Sequence, residues 1–130
     1  MIFTDGRLFV AGQLRDGARA AVRSPWDDVV VADAVEAGAT DLDEAIAAGV
    51  RAAPAMRAMP GHRRRAILAA IARGIEARAV DFEDTIVAEA GKPRRLARGE
   101  IARAITTFSF AADRCATREE QLLPLDGAPT

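Results

Sequence analysis

The spacing of apolar residues changes once along this chain, near residue 40, and that change limits the possible folds more than any other feature. Up to residue 36 the apolar residues fall in short runs, "RLFVAGQLRDG", "AAVRSP" and "VVVADAV", separated by glycine, proline, serine and aspartate. Short β-rich runs between turn residues are the pattern of strands. From Asp41 onward apolar residues recur every three or four positions, the pattern of amphipathic helices. The expected fold class is therefore mixed α/β. A short antiparallel strand meander over about residues 7–36 leads into four helices over about residues 41–118. With 130 residues, half of them apolar, the chain is long enough for one domain with a core.

Turn and cap residues set the expected joints. Ala11-Gly12 and Asp16-Gly17 are expected to supply the φ > 0 positions of tight turns, and Ser24-Pro25 with Asp27-Asp28 marks a further reversal. The run Val29, Val30, Val31 predicts a strand buried on both faces. Thr40 or Asp41 can cap the first helix, whose stripe is Leu42, Ile46 and Val50 with Ala45, Gly49 and Ala53. Pro54 is expected to end or kink that helix, because an interior proline costs about 3 kcal/mol. "PAMRAMPG" then reads as a connector.

A second helix is expected from about His62 to Ala79, with Ile67, Leu68, Ile71 and Ile75 opposite Arg64, Arg65, Arg73 and Glu76. Asp81 opens a third that carries Phe82, Ile86 and Val87 and stops at Gly91. From Pro93 a fourth presents Ile101, Ile105, Phe108, Ala112 and Cys115 as one apolar face. Helical spacing breaks at Pro124, so the chain divides into residues 1–119 and an extended segment over 120–130.

The stretch "EAGKPRRLARGE" from Glu89 to Glu100 poses the main functional question. A phosphate loop needs several glycines whose N–H groups cup the anion, then lysine and a hydroxyl residue at a helix start. Here one glycine precedes Lys92, and Pro93 removes an N–H, so the stretch reads as a helix stop. A G-x-G-x-x-G after a strand is also missing from the sequence. Cys115 is the only thiol and lies on an apolar helix face, where a core role outweighs nucleophilic chemistry even with Arg114 and Arg118 near in sequence. His62 is the sole histidine, which excludes a catalytic triad and a multi-histidine metal site. Asp27, Asp28, Asp41, Asp43 and Glu44 lack calcium-loop spacing and suit turns and a helix start. No residue is assigned a catalytic, cofactor-binding or metal-binding role.

The charge balance of −1 and a pI near 5.8 give no general pull toward nucleic acid or anionic membrane. "HRRR" at residues 62–65 is the one local basic cluster, and the acidic helix before it is its simplest partner. A single cysteine excludes an internal disulfide framework, and the N-terminus, with Asp5 and Arg7, lacks an apolar run of signal length. The expected location is the cytoplasm, with neither a nucleic-acid nor a membrane partner.

Taken in order, "LFVAGQ", "SPWDD", "AMRAMPGHRRRAIL", "IARGIEARAVDFEDTIVAEAGKP", "RGEIARAITTFSFAADR" and "LLPLDG" resemble the N-terminal region of the aldehyde dehydrogenase superfamily. The resemblance covers essentially all 130 residues and is most distinctive at E-x-G-K-P with a glutamate seven residues beyond the proline. It implies a larger α/β enzyme with a Rossmann-like cofactor domain, NAD or NADP as hydride acceptor, and a cysteine nucleophile forming a thiohemiacetal. The family's catalytic cysteine, activating glutamate, oxyanion asparagine and nucleotide-contacting glycines belong to later segments. Cys115 does not match the cysteine motif. Some members bind a monovalent cation through main-chain carbonyls, one of which would fall near Glu89. "LLPLDG" resembles the start of the family's bridging, oligomer-forming strand.

The expected function is therefore that of an N-terminal fragment of an NAD(P)-dependent aldehyde dehydrogenase, inactive alone and binding no cofactor itself. Its partners would be the remainder of the enzyme, or a second copy in a homo-oligomer. The alternative is a stand-alone helical interaction or dimerisation module. Helices carrying Ile67, Ile71, Ile75, Ile101, Ile105 and Phe108 are built to cover apolar surface, which predicts marginal stability, self-association or an unusually large apolar patch in this chain.

Overall fold

A computed structural model describes residues 6–116. Strands β1 (Leu8–Val10) and β2 (Gln13–Arg15) form a tight antiparallel hairpin in the register Leu8↔Arg15 and Val10↔Gln13. Its two loop residues, Ala11 and Gly12, have φ of 52° and 85°. Two consecutive positive φ values match the right-handed twist of the flanking strands. Strands β3 (Arg19–Arg23) and β4 (Val30–Val35) form a second antiparallel hairpin with a register irregularity beside Arg23. Its reversal is closed by the Ser24 N–H donating to the Val29 carbonyl and the Asp28 N–H donating to the Ser24 carbonyl, both at 2.9 Å. Asp28 takes the left-handed conformation at φ 59°.

Three expectations about this layer are corrected. The strands form two separate hairpins instead of one meander, because β2 and β3 are not paired. Gly17 is not among the positive-φ residues; the Asp16 carboxylate accepts its N–H at 3.0 Å, and the dipeptide lies between two strands that are not paired. The valine run is not buried on both faces: Val29 and Val30 are exposed and Val31 is half-buried. The hairpins meet where the Val35 N–H donates to the Gly6 carbonyl at 2.8 Å.

Helix α1 (Ala39–Ala58) starts at Gly38 instead of Thr40, with the Asp41 carboxylate accepting the Gly38 N–H at 3.0 Å. It also continues past Pro54 instead of ending there, so "PAMRAMPG" is mostly helix. Two features offset the lost hydrogen bond. Ala52, Ala53, Ala55 and Ala58 are the strongest helix formers. The Arg64 guanidinium also caps the far end, donating to the Met56 carbonyl at 2.8 Å and the Met59 carbonyl at 3.4 Å.

Helices α2 (Gly61–Ala77), α3 (Ala79–Ala90) and α4 (Arg94–Ala116) follow, with boundaries within two residues of those expected. Arg78 joins α2 to α3 and its guanidinium lies 5.8 Å from the Phe82 ring centre. Helix α2 starts without an acidic residue in its first turn. The C-terminal end of α4 takes that place: a Cβ on Gly61 would stand 2.8 Å from the Cys115 carbonyl oxygen, so the negative end of α4 abuts the positive end of α2. The expected strand segment over 120–130 lies outside the described residues.

The interior is a seam of small residues. Among the helices packing is most extensive between α2 and α4, with α3 on α4 next. Its buried apolar side chains are Ala72 from α2 and Ala97, Ile101 and Ala112 from α4, and Val10 is buried in the first hairpin. Small residues let helix axes approach closely. The α1 stripe contributes nothing to this seam: Leu42, Ile46 and Val50 are 59%, 57% and 68% exposed. Ile67 and Ile71 are exposed on α2 as well.

Gly91 ends α3 as expected, at φ +60°, with its N–H donating to the Val87 carbonyl at 3.1 Å. A Cβ there would also come within 2.8 Å of Pro25 Cγ. A left-handed conformation costs an L-residue about 1–2 kcal/mol before any clash. Gly91→Ala is therefore expected to lose about 2 kcal/mol or more. Gly74→Ala, inside α2 with open space around it, is expected to gain about 0.5–1 kcal/mol. Urea unfolding of both variants checks this, and equal midpoints for the two would contradict it.

Candidate functional site

The strongest concentration of interacting polar groups surrounds the turn from α3 into α4. Gly91 stops α3, and Pro93 opens α4 by accepting the Leu96 and Ala97 N–H groups at 2.8 and 3.1 Å. The proline carbonyl thus accepts the first regular helical bond, from Ala97, and also serves one orphan donor of the helix start, Leu96. Acids on α3 then face bases on α4. Arg94 donates to Glu83 at 2.8 Å and to Asp84 at 2.7 Å, and Arg98, one turn further, donates to the second Glu83 oxygen at 2.9 Å. Lys92 is engaged by Glu100.

Electrostatics follow from this geometry. The Glu83 side chain is only 7% exposed, yet both its oxygens accept from guanidinium groups. Donation from Arg98, then from Arg94, holds its carboxyl below the usual carboxylate range. Lys92 does the same for Glu100. Asp84, then Glu83, raises Arg94 further above its ordinary value. Each of these three acids is met by a base on or just before α4, with Arg103 also 3.8 Å from Glu100, and Lys92 is engaged by Glu100. The chemistry is that of a clip fixing the angle between two helices.

Beside the clip lies a cavity of about 460 Å³ between the β3–β4 loop and the end of α3, lined by Trp26, Val29, Val31, Val87, Ala88 and Gly91 among others. Its wall is mainly apolar, and Trp26 at its rim is 87% exposed. The buried Ser24 hydroxyl on its edge accepts the Trp26 N–H at 3.3 Å.

The other residues singled out from the sequence are scattered. Cys115 is half-buried in the last turn of α4, beside a cavity of about 340 Å³ that Arg64 and Arg114 also line. His62 is exposed at the start of α2. The partner expected for "HRRR" is corrected: Arg64 caps α1 through main-chain carbonyls, and Arg65 lies 3.7 Å from Asp113 on α4. The α1 acids Asp41 and Glu44 instead hold Arg15 of β2. That contact keeps Glu44 below the carboxylate range, chiefly through donation from Arg15. Among the described residues no group of three or more His, Cys, Asp or Glu could hold a metal ion. The sequence reading missed Glu83, Asp84, Arg94 and Arg98; two acids before a helix stop and two bases after it, four apart, were the available signal.

Residues 13–130 match the sequence model of the aldehyde dehydrogenase family, and the chain belongs to that family as its N-terminal region. It is 32% identical over 106 residues to an aldehyde-dehydrogenase-like protein of Sinorhizobium fredii, covering 82% of this chain and 21% of that one. Among solved structures, lactaldehyde dehydrogenase from Escherichia coli superposes with a TM-score of 0.83 at 28% identity, over 95% of this chain and 27% of that chain. PnpE from a Pseudomonas species, solved in complex with nicotinamide adenine dinucleotide, gives 0.84 at 27% identity over 95% and 26%. The chain thus spans about a fifth to a quarter of the length of the curated relatives it matches, from 21% to 26%.

Within the E-x-G-K-P stretch Gly91 forms the helix stop and Lys92 is engaged by Glu100.

Glu83 gives a pH test. Unfolded, it returns to about 4.3, the ordinary glutamate value; folded, it sits lower. The clip's contribution is complete above that unfolded value and is lost as pH falls toward the depressed folded one. The urea midpoint is expected to fall from about pH 5 downward, and Glu83→Gln is expected to lower it at neutral pH while flattening the acid dependence. A Glu83→Gln profile parallel to that of the parent chain would contradict the clip.

Proposed function

We propose that this chain is the N-terminal shell of an NAD(P)-dependent aldehyde dehydrogenase and supplies packing surface instead of catalytic groups. The observation that carries the reading is the exposed apolar side of α1 and α2 in a chain matching only the N-terminal quarter of such enzymes. The whole enzyme would oxidise an aldehyde to a carboxylate with NAD or NADP as hydride acceptor, using residues outside this chain. The chain alone would bind no cofactor and turn over no substrate.

Its partner is the remainder of an aldehyde dehydrogenase, whose sheet would cover the α1 and α2 stripes. A second copy is the competing occupant, favoured by the same exposed stripe, and would make the chain a stand-alone dimerisation module. Within the whole enzyme a homo-oligomer is proposed, from the resemblance of "LLPLDG" to the bridging strand. A reducing, cytoplasmic setting is consistent with the single cysteine. No helix among the described residues is long and apolar enough to cross a membrane.

The test has two arms. Purified chain with NAD or NADP and a panel of aldehydes is expected to show no oxidation; turnover of about 1 per second or more, typical of enzymes, would overturn the proposal. Co-expression with lactaldehyde dehydrogenase lacking its matching N-terminal segment is expected to raise the soluble yield and activity of that truncated enzyme. Unchanged yield and activity, with this chain forming stable dimers by itself, would favour the dimerisation module.

A further inference from the structure

We draw no further inference here: the strongest candidate, the exposed apolar stripe of α1 formed by Leu42, Ile46 and Val50, has nothing in the structure to show what covers it.

Discussion

Helix α4 packs on α2 more extensively than any other pair of elements packs, and it is tied at its start to α3 by charge. The seam works because its residues are small. Ala72, Ala97 and Ala112 let the backbones approach, and Ile101 provides the one large buried side chain among them. Such a seam is thin. Burying a single isoleucine contributes about 1.5–3 kcal/mol and each alanine much less, while ordering each residue costs about 1–2 kcal/mol of backbone entropy. Charge then does what apolar burial does not: the Glu83 clip holds α3 on α4, Arg15 holds the first hairpin on α1, and Arg64 holds α1 at the start of α2.

The turn at Gly91 shows how one local requirement serves two ends. The left-handed glycine stops α3, and its missing side chain leaves room for Pro25 from the β3–β4 loop. Helix layer and strand layer therefore meet at the same residue. Lysine and proline after it complete the joint, Lys92 reaching Glu100 along α4 and Pro93 lending its carbonyl to the new helix. A motif that resembles a phosphate grip in isolation is, in its fold, the corner post of two helices and a hairpin.

Much of this was legible in the sequence because it depends on local chemistry. The Ala11-Gly12 turn, the stop at Gly91 and the apolar face of α4 are each fixed by residues within a few positions of one another. The misses depend on partners distant in sequence. Pro54 stays within α1 because Arg64, ten residues later, caps the helix beyond it. The arginines of α2 meet carbonyls and Asp113 instead of the α1 acids, since Arg15 already occupies those acids. The valines from Val29 to Val31 were expected to be buried because their pattern suits a strand covered on both faces, and among the described residues Val29 and Val30 stay exposed beside a two-stranded sheet. The same lack of cover applies to the α1 stripe. Both patterns make physical sense in a family whose matched members are each covered to only 21–26% of their length.

The central claim is that the chain has a narrow interior along α2 and α4, with the α1 stripe outside it. The most direct measurement is the unfolding free energy of Ile101→Ala against Ile46→Ala, read by urea denaturation of the purified chain. A buried isoleucine cut to alanine is expected to cost about 2–5 kcal/mol, and an exposed one to stay within about 0.5 kcal/mol. Comparable losses at both positions would place Ile46 in a closed core and contradict the claim.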